Sequence, residues 1–331
     1  MTDWDACRWD RASGHYESWF QRANHPTRPL AFWIRHTIFC PKGRPQEAQG
    51  ELWSMWFDGE KGHTVAAKTE VPVSACSFGV SGLAVRLPQS SLLPGALRGQ
   101  TERMAWDLTW ATAAQSTQSA QPSLLLPERL YSGSFPKAKA LCVNPLAMFG
   151  GRIRVDGMAQ DVDGWVGSHN HNWGSQHTDR YAWAQVCGFD AAPDVFLECA
   201  TAQIKLGPFM TPKVTVVVLS VGQERFEINS IVDGLRASAR IEGFDWQFTS
   251  RAAGVAIEVQ ISAASAKFAG LCYRNPPGGA KACLNSKIAR CTVTLRTPTN
   301  TRTFTTQNRA AFEILCERDD PRVALVGGLS V

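Results

Sequence analysis

The chain has 331 residues, of which 44% are hydrophobic and 19% charged, with a formal net charge of +5. That balance builds a globular core and excludes a disordered chain, and the scattered Lys and Arg argue against a nucleic-acid groove. No run of about 18 apolar residues reads as a membrane-spanning helix. The start, Met1-Thr2-Asp3-Trp4-Asp5, lacks the basic-then-apolar pattern of a secretory signal. A cytoplasmic protein is therefore expected, with peripheral membrane contact and oligomeric state left open.

In chain order, short segments rich in aromatic and β-branched residues predict strands over 15–22, 30–39, 51–57, 64–71, 75–87 and 104–110. Segment 51–57 (ELWSMWF) carries bulk on both faces, which suits a sheet buried on both sides or facing a ligand. Residues 41–45 (PKGRP) read as an exposed loop, and 111–123 as a flexible connection. Further strands are predicted at 151–157, 165–173, 181–189, 194–206, 213–221, 225–232, 236–242, 245–250, 255–262 and 288–296, with a last one near 302–316. The part from Asn308 to Cys316 reads equally well as a helix, and 275–279 (NPPGG) is an emphatic turn. The natural cut lies near 160–165, giving domains of 1–163 and 164–331. The expected class is all-β: two mostly antiparallel barrels or sandwiches side by side, an arrangement whose interface favours ligands.

The ten cysteines include no C-x-x-C pair, so reduced, buried thiols are the default rather than a zinc or redox site. No phosphate-cradling glycine loop and no G-x-S-x-G elbow occurs. Eight of the twelve tryptophans precede residue 111, among them Trp19, Trp33 and Trp53. Core packing explains any one of them; several together can line a cavity for a large apolar ligand.

The most informative stretch is His169-Asn170-His171-Asn172-Trp173-Gly174. A strand repeats every two residues, so His169, His171 and Trp173 share one face while Asn170 and Asn172 point the other way. Two imidazoles beside an indole suit proton traffic or metal binding; a polar strand edge whose histidines are satisfied by neighbours is the plain alternative. Two carboxylates stand out. Glu17 lies between Tyr16 and Trp19, and Glu198 lies in the apolar run 195–199 (VFLEC). Each has either a cationic partner, for instance Arg22 or Arg35, or a raised pKa.

The segment 164–174 (GWVGSHNHNWG) resembles the signature of the carotenoid 1,2-hydratase and tocopherol cyclase superfamily, roughly G-Y-H-D-H-N-W-G. That superfamily has two lipocalin-like β domains and includes Diels–Alder cyclases and a phytoalexin hydratase. Residues 16–20 (YESWF) resemble its early E-W-W-Y strand, and 181–184 (YAWA) fall where it carries W-x-W. Ser168 stands where the pattern has tyrosine, and Asn170 where it has aspartate, so either another group supplies the acid or the reaction needs no strong acid.

The resemblance implies a cofactor-independent cyclase, isomerase or hydratase acting on a bulky apolar isoprenoid, polyene or polyketide-like molecule. Cyclisation or isomerisation is favoured over hydration because Asn170 removes a carboxylate. His169, His171, Asn172, Glu17 and Glu198 are the expected catalytic residues. Trp173, Trp19, Trp183, Tyr181, Trp33 and Trp53 are expected to line the substrate pocket. Two other readings stay open: a non-catalytic carrier of an apolar ligand, and a metal-dependent barrel enzyme in which His177 or Glu198 completes a site begun by His169 and His171.

Overall fold

The computed structural model describes residues 2–112, 121–316 and 320–326; most of the connection expected at 111–123 lies outside them. The chain folds into two lipocalin-like domains of antiparallel sheet curled into half-barrels. The first sheet contains β1 (His15–Asn24), β2 (Leu30–Cys40), β3 (Gln49–Asp58), β4 (His63–Pro72), β5 (Ser77–Phe78), β6 (Val85–Leu87), β7 (Ser90–Leu93), β8 (Ala96–Gln100), β9 (Met104–Thr112), β10 (Ser123–Leu124), β11 (Ala138–Val155), β12 (Met158–Asp161) and β13 (Trp165–Gly174). After β14 (Arg180–Phe189) and β15 (Ala192–Gln203), a small hairpin of β16 (Lys205–Leu206) and β17 (Phe209–Met210) stands apart. The second sheet continues through β18 (Val214–Val221), β19 (Glu224–Ile228), β20 (Ser238–Glu242), β21 (Asp245–Ala252), β22 (Val255–Ser262), β23 (Ala269–Arg274), β24 (Ala280–Arg296), β25 (Thr301–Cys316) and β26 (Leu325–Val326).

The strand pairing bears on three of the expectations. The cut at 163/164 would assign β13 to the second half, yet β13 is hydrogen-bonded between β1 and β11, so the chain changes sheets after Gly174. The segment read as helix or strand at 308–316 is strand throughout, paired with β24 and β14. Segments 225–232 and 236–242 do not abut as strands. Between them runs α1 (Ile231–Arg236), capped by the Ser230 side chain accepting from the Asp233 N–H.

Cross-strand register explains how the site is placed. Residues opposite one another on paired strands share a face. One row across the first sheet is His171, Trp19, His36 and Leu52, facing the first domain's interior. The next row is Asn170, Phe20, Arg35 and Trp53, facing the second domain. All of β1 is buried, because both its faces are covered. Gly167 and Gly174 let β13 seat this closely: a Cβ at Gly167 would lie 1.8 Å from the Arg22 carbonyl oxygen, and one at Gly174 2.1 Å from that of Lys137. Each domain has its own apolar core, and a third core joins them, with Phe20, Trp33 and Trp53 from the first sheet against Trp183, Leu271 and Tyr273 from the second.

Candidate functional site

The sequence centres its site on the strand 169–173, with Glu17, Glu198 and the aromatic residues gathered round it; the structure divides these residues between two compartments. In the first, His169 and His171 project into the first domain, fully buried. Trp19 stacks on His171 with centroids 4.7 Å apart, Trp173 lies at 4.8 Å, and Trp110 tilts against His169 at 5.2 Å. The N-terminal segment crosses over this face. His169 Nε2 meets Asp5 Oδ1 at 2.7 Å and its Nδ1 meets Gln21 Nε2 at 2.6 Å. His171 Nδ1 lies 2.6 Å from the Trp4 carbonyl oxygen, and its Nε2 2.9 Å from Glu17 Oε1.

His169 donates to the Asp5 carboxylate, and its other nitrogen faces the Gln21 amide nitrogen. Both neighbours of His171, the Trp4 carbonyl and the Glu17 carboxylate, are acceptors. Glu17 also accepts from His15 Nε2 at 3.0 Å and from the backbone N–H groups of Arg8 (2.8 Å) and Trp9 (3.1 Å). Burial alone would push the Glu17 carboxyl up; the hydrogen bonds and charge of His15 and His171 outweigh it and hold it at about 2. Glu17 is thus an anchor for residues 7–9. Burial likewise opposes ionisation of Asp5, and His169 overcomes it.

The tryptophan-lined chamber expected beside this strand is therefore occupied by the chain's own residues 4–9. Both nitrogens of each imidazole are engaged by groups of the protein. His177 is elsewhere, stacked on Tyr16 at 3.9 Å, and Glu198 belongs to the other compartment. Among the described residues, no three His, Cys, Asp or Glu side chains form a metal-binding group. Sequence reasoning missed His15, His36 and Asp5. His15 carried a usable signal, lying two residues from Glu17 on a strand. His36 bonds Ser90 Oγ at 2.8 Å, and burial drives its pKa down to about 3.

The second compartment is the junction between the domains. Ser168 Oγ donates to Gln185 Oε1 at 2.6 Å, and Asn170 Nδ2 donates to Ser168 Oγ at 2.8 Å. Gln185 Nε2 donates to Asn170 Oδ1 at 2.8 Å and to Glu198 Oε1 at 3.3 Å. Asn170, where the resembled pattern has its aspartate, is thereby one amide away from a carboxyl supplied by the second domain. The Trp183 indole N–H donates to the same Glu198 oxygen at 3.3 Å. The other oxygen, Oε2, is buried without a partner; the Ser123 hydroxyl is nearby but outside hydrogen-bond geometry. Burial pushes the Glu198 carboxyl up to about 7 against its few donors. Asn172 is half-buried two residues along this face of β13, its Oδ1 also without a partner.

The remaining expected pocket residues flank this group. Trp33 and Trp53 are buried at the junction, and Trp53 donates to Glu51 Oε2 at 3.0 Å. The Tyr181 hydroxyl donates to Glu313 Oε2 at 3.4 Å. Buried Lys287 bonds Glu313 Oε1 at 2.7 Å, with its ammonium 5.5 Å and 5.7 Å from the Trp33 and Trp183 rings. Arg22 and Arg35, the cationic partners considered for Glu17 and Glu198, bond neither. Arg22 bonds Gln185 and Asn24, and Arg35 bonds Ser18. A cleft of about 380 Å³ opens at the edge of the junction, lined by Phe39 and Gln49 from one domain and Arg274 and Asn275 from the other. Among the described residues no helix is long and apolar enough to cross a membrane.

No protein-family model matches the chain. Two uncharacterized proteins of Mycobacterium tuberculosis, MT0513 and Rv0493c from different strains, are 22% identical over 292 residues, covering 85% of this chain and 82% of theirs. Among solved structures, a protein of Nitrosomonas europaea provisionally assigned as AttH superposes with a TM-score of 0.58 at 13% identity over 92% of each chain. Kievitone hydratase from Nectria haematococca gives 0.58 at 10% identity, over 90% of this chain and 88% of its own. CghA with Sch210972 gives 0.55 at 12% identity, over 92% and 88%. At these identities the likeness is one of fold. The chain shares its two-domain lipocalin-like fold with kievitone hydratase and CghA.

Proposed function

We propose that this protein is a cofactor-independent cyclase, isomerase or hydratase that works on a bulky apolar molecule at the junction of its two domains, with Glu198 as the acid. The observation that carries the reading is the Glu198 carboxyl: buried, one oxygen unpartnered, and held at about 7, so that about half of it is protonated at neutral pH and it can give up and take back a proton. The fold it shares with a hydratase is a second support.

In the proposed step the Glu198 O–H bond breaks and its proton forms a C–H bond at one end of a substrate double bond. The cation left at the other end is stabilised by the aromatic rings of the junction, Phe20, Trp33 and Trp53 among them. An internal double bond or hydroxyl closes on that cation, and a proton returns to the Glu198 carboxylate. The apolar surroundings favour this return over capture of water, which places cyclisation or isomerisation ahead of hydration. Trp183 and Gln185 hold the carboxyl, and Asn170 and Ser168 orient Gln185. His169, His171 and Glu17 act as positioning residues that fix β13 and the N-terminal segment.

The test is a panel of isoprenoid, polyene and polyketide-like compounds incubated in D₂O. A product bearing carbon-bound deuterium, lost in Glu198→Gln, is the expected result. Turnover that survives Glu198→Gln, or product free of deuterium, overturns the acid mechanism. Retention of a compound with no conversion makes the protein a carrier.

A further inference from the structure

The polar groups of the junction do not balance. Lys68 and Arg274 are ion-paired with Glu51 and Glu70, and Lys287 with Glu313. Arg35, only 5% exposed, has no carboxylate within ion-pair distance among the described residues; the charges of Glu313 and Glu51, both engaged with other cations, act on it from farther away. Its recorded hydrogen bond is from one terminal nitrogen to Ser18 Oγ at 2.7 Å, a hydroxyl already shared with Thr37, and its Nε has no partner. Taking a cation out of water with its donors unbonded and no directly paired counter-charge is costly, and proteins keep such groups where something else supplies the partner.

Two further donors in the same cluster lack acceptors. The Trp33 indole N–H is buried and unpartnered, with the Arg35 guanidinium carbon 6.0 Å from its ring. The Tyr273 hydroxyl has the Cys283 thiol nearby but no partner of hydrogen-bond geometry, and the same guanidinium lies 4.6 Å from its ring. The surroundings are apolar, with Phe20, Trp53 and Met55 in the same core. A chain of contacts joins this cluster to the 380 Å³ cleft: Arg274 on the cleft wall pairs with Glu51, which accepts from Trp53, and Trp53 meets Tyr273 edge-on at 6.1 Å.

We infer that Arg35, Trp33 and Tyr273 form a receptor for an oxyanion, so that the ligand of this junction is an apolar molecule carrying one acidic oxygen head, a carboxylate or an enolate. A guanidinium supplies the charge and a planar pair of donors; the indole and phenol supply two more. The inference rests on the reading that the junction takes the substrate, and it narrows that substrate to an oxygen acid on an apolar body. Arg35 anchors the head, and Glu198 acts on the carbon skeleton.

The experiment compares binding of dodecanoate and dodecanol, equal in chain length, by calorimetry at neutral pH. Wild type is expected to bind dodecanoate at least about tenfold more tightly, the scale of one buried charged hydrogen bond. Arg35→Met is expected to abolish the preference while leaving the melting temperature unchanged or raised, because a side chain whose role is structural lowers it on removal. Equal affinities in wild type, a preference that survives Arg35→Met, or a variant that melts earlier or fails to fold each overturn the inference. The readout is binding alone, so loss of the deuterium result leaves it standing, and its failure leaves the Glu198 mechanism standing.

Discussion

Replacing Glu198 with glutamine gives a protein whose stability relative to wild type changes with pH in a predictable direction. The ordinary glutamate value is 4.5 and the folded value is about 7. Below pH 4.5 the residue is neutral in both states and costs nothing. Between 4.5 and 7 the unfolded chain ionises while the folded one holds its proton, so wild type loses stability as pH rises. Above 7 the full cost is in place, about 3 kcal/mol for a shift of this size. Glutamine keeps a similar shape and does not titrate. The Glu198→Gln protein should therefore gain on wild type by about 3 kcal/mol between pH 4.5 and pH 8. Urea unfolding at half-unit pH steps reads this directly, and other titrating groups cancel in the difference. A difference that stays flat with pH means that the carboxyl is not held neutral by burial, and the acid assigned to it loses its physical basis. The same group sets the pH profile of turnover, which should fall on the alkaline side of about 7.

Glu17 has the opposite sign. With a folded value near 2 against 4.5 unfolded, it stabilises the protein above pH 4.5 by about 3 kcal/mol and loses that contribution as pH falls towards 2. Glu17→Gln should be weaker than wild type at pH 7 and equal to it near pH 2, with faster hydrogen exchange at the Arg8 and Trp9 amides that Glu17 binds; a difference unchanged by acid would count against the ion pair. Gly167→Ala forces a Cβ into the Arg22 carbonyl and should cost about 3 kcal/mol, seen as a lowered melting temperature; a neutral substitution would mean that β1 and β13 separate easily.

Much of the fold could be read from residue alternation. The first four strands follow from aromatic and β-branched runs, and the two-faced reading of 169–173 holds: histidines to one side, asparagines to the other. What each face meets could not be read, because that depends on a second sheet and on residues 4–9, which have no periodicity to announce them. Of β11 the sequence shows only the part from 151; Pro145 and Gly150-Gly151 interrupt its alternation, and the strand continues through register shifts between Cys142 and Ala147. The six residues of α1 are too few to show a helical period. Glu198 was legible as a carboxylate in apolar company. Its link to Asn170 was not, since Gln185 joins them only in three dimensions. The imbalance around Arg35 is a property of packing that no spacing of residues encodes.

Because β13 is a wall common to two rooms, its ten residues can be varied in two independent sets. Exchanges at 169, 171 and 173 alter how the chain's beginning is moored, and exchanges at 168, 170 and 172 alter the chemistry on the far side. A one-residue insertion or deletion would swap the sets at a stroke, sending imidazoles to the junction and amides to the barrel. Relatives that differ in reaction should therefore diverge here by substitution at alternate positions and keep the strand's length.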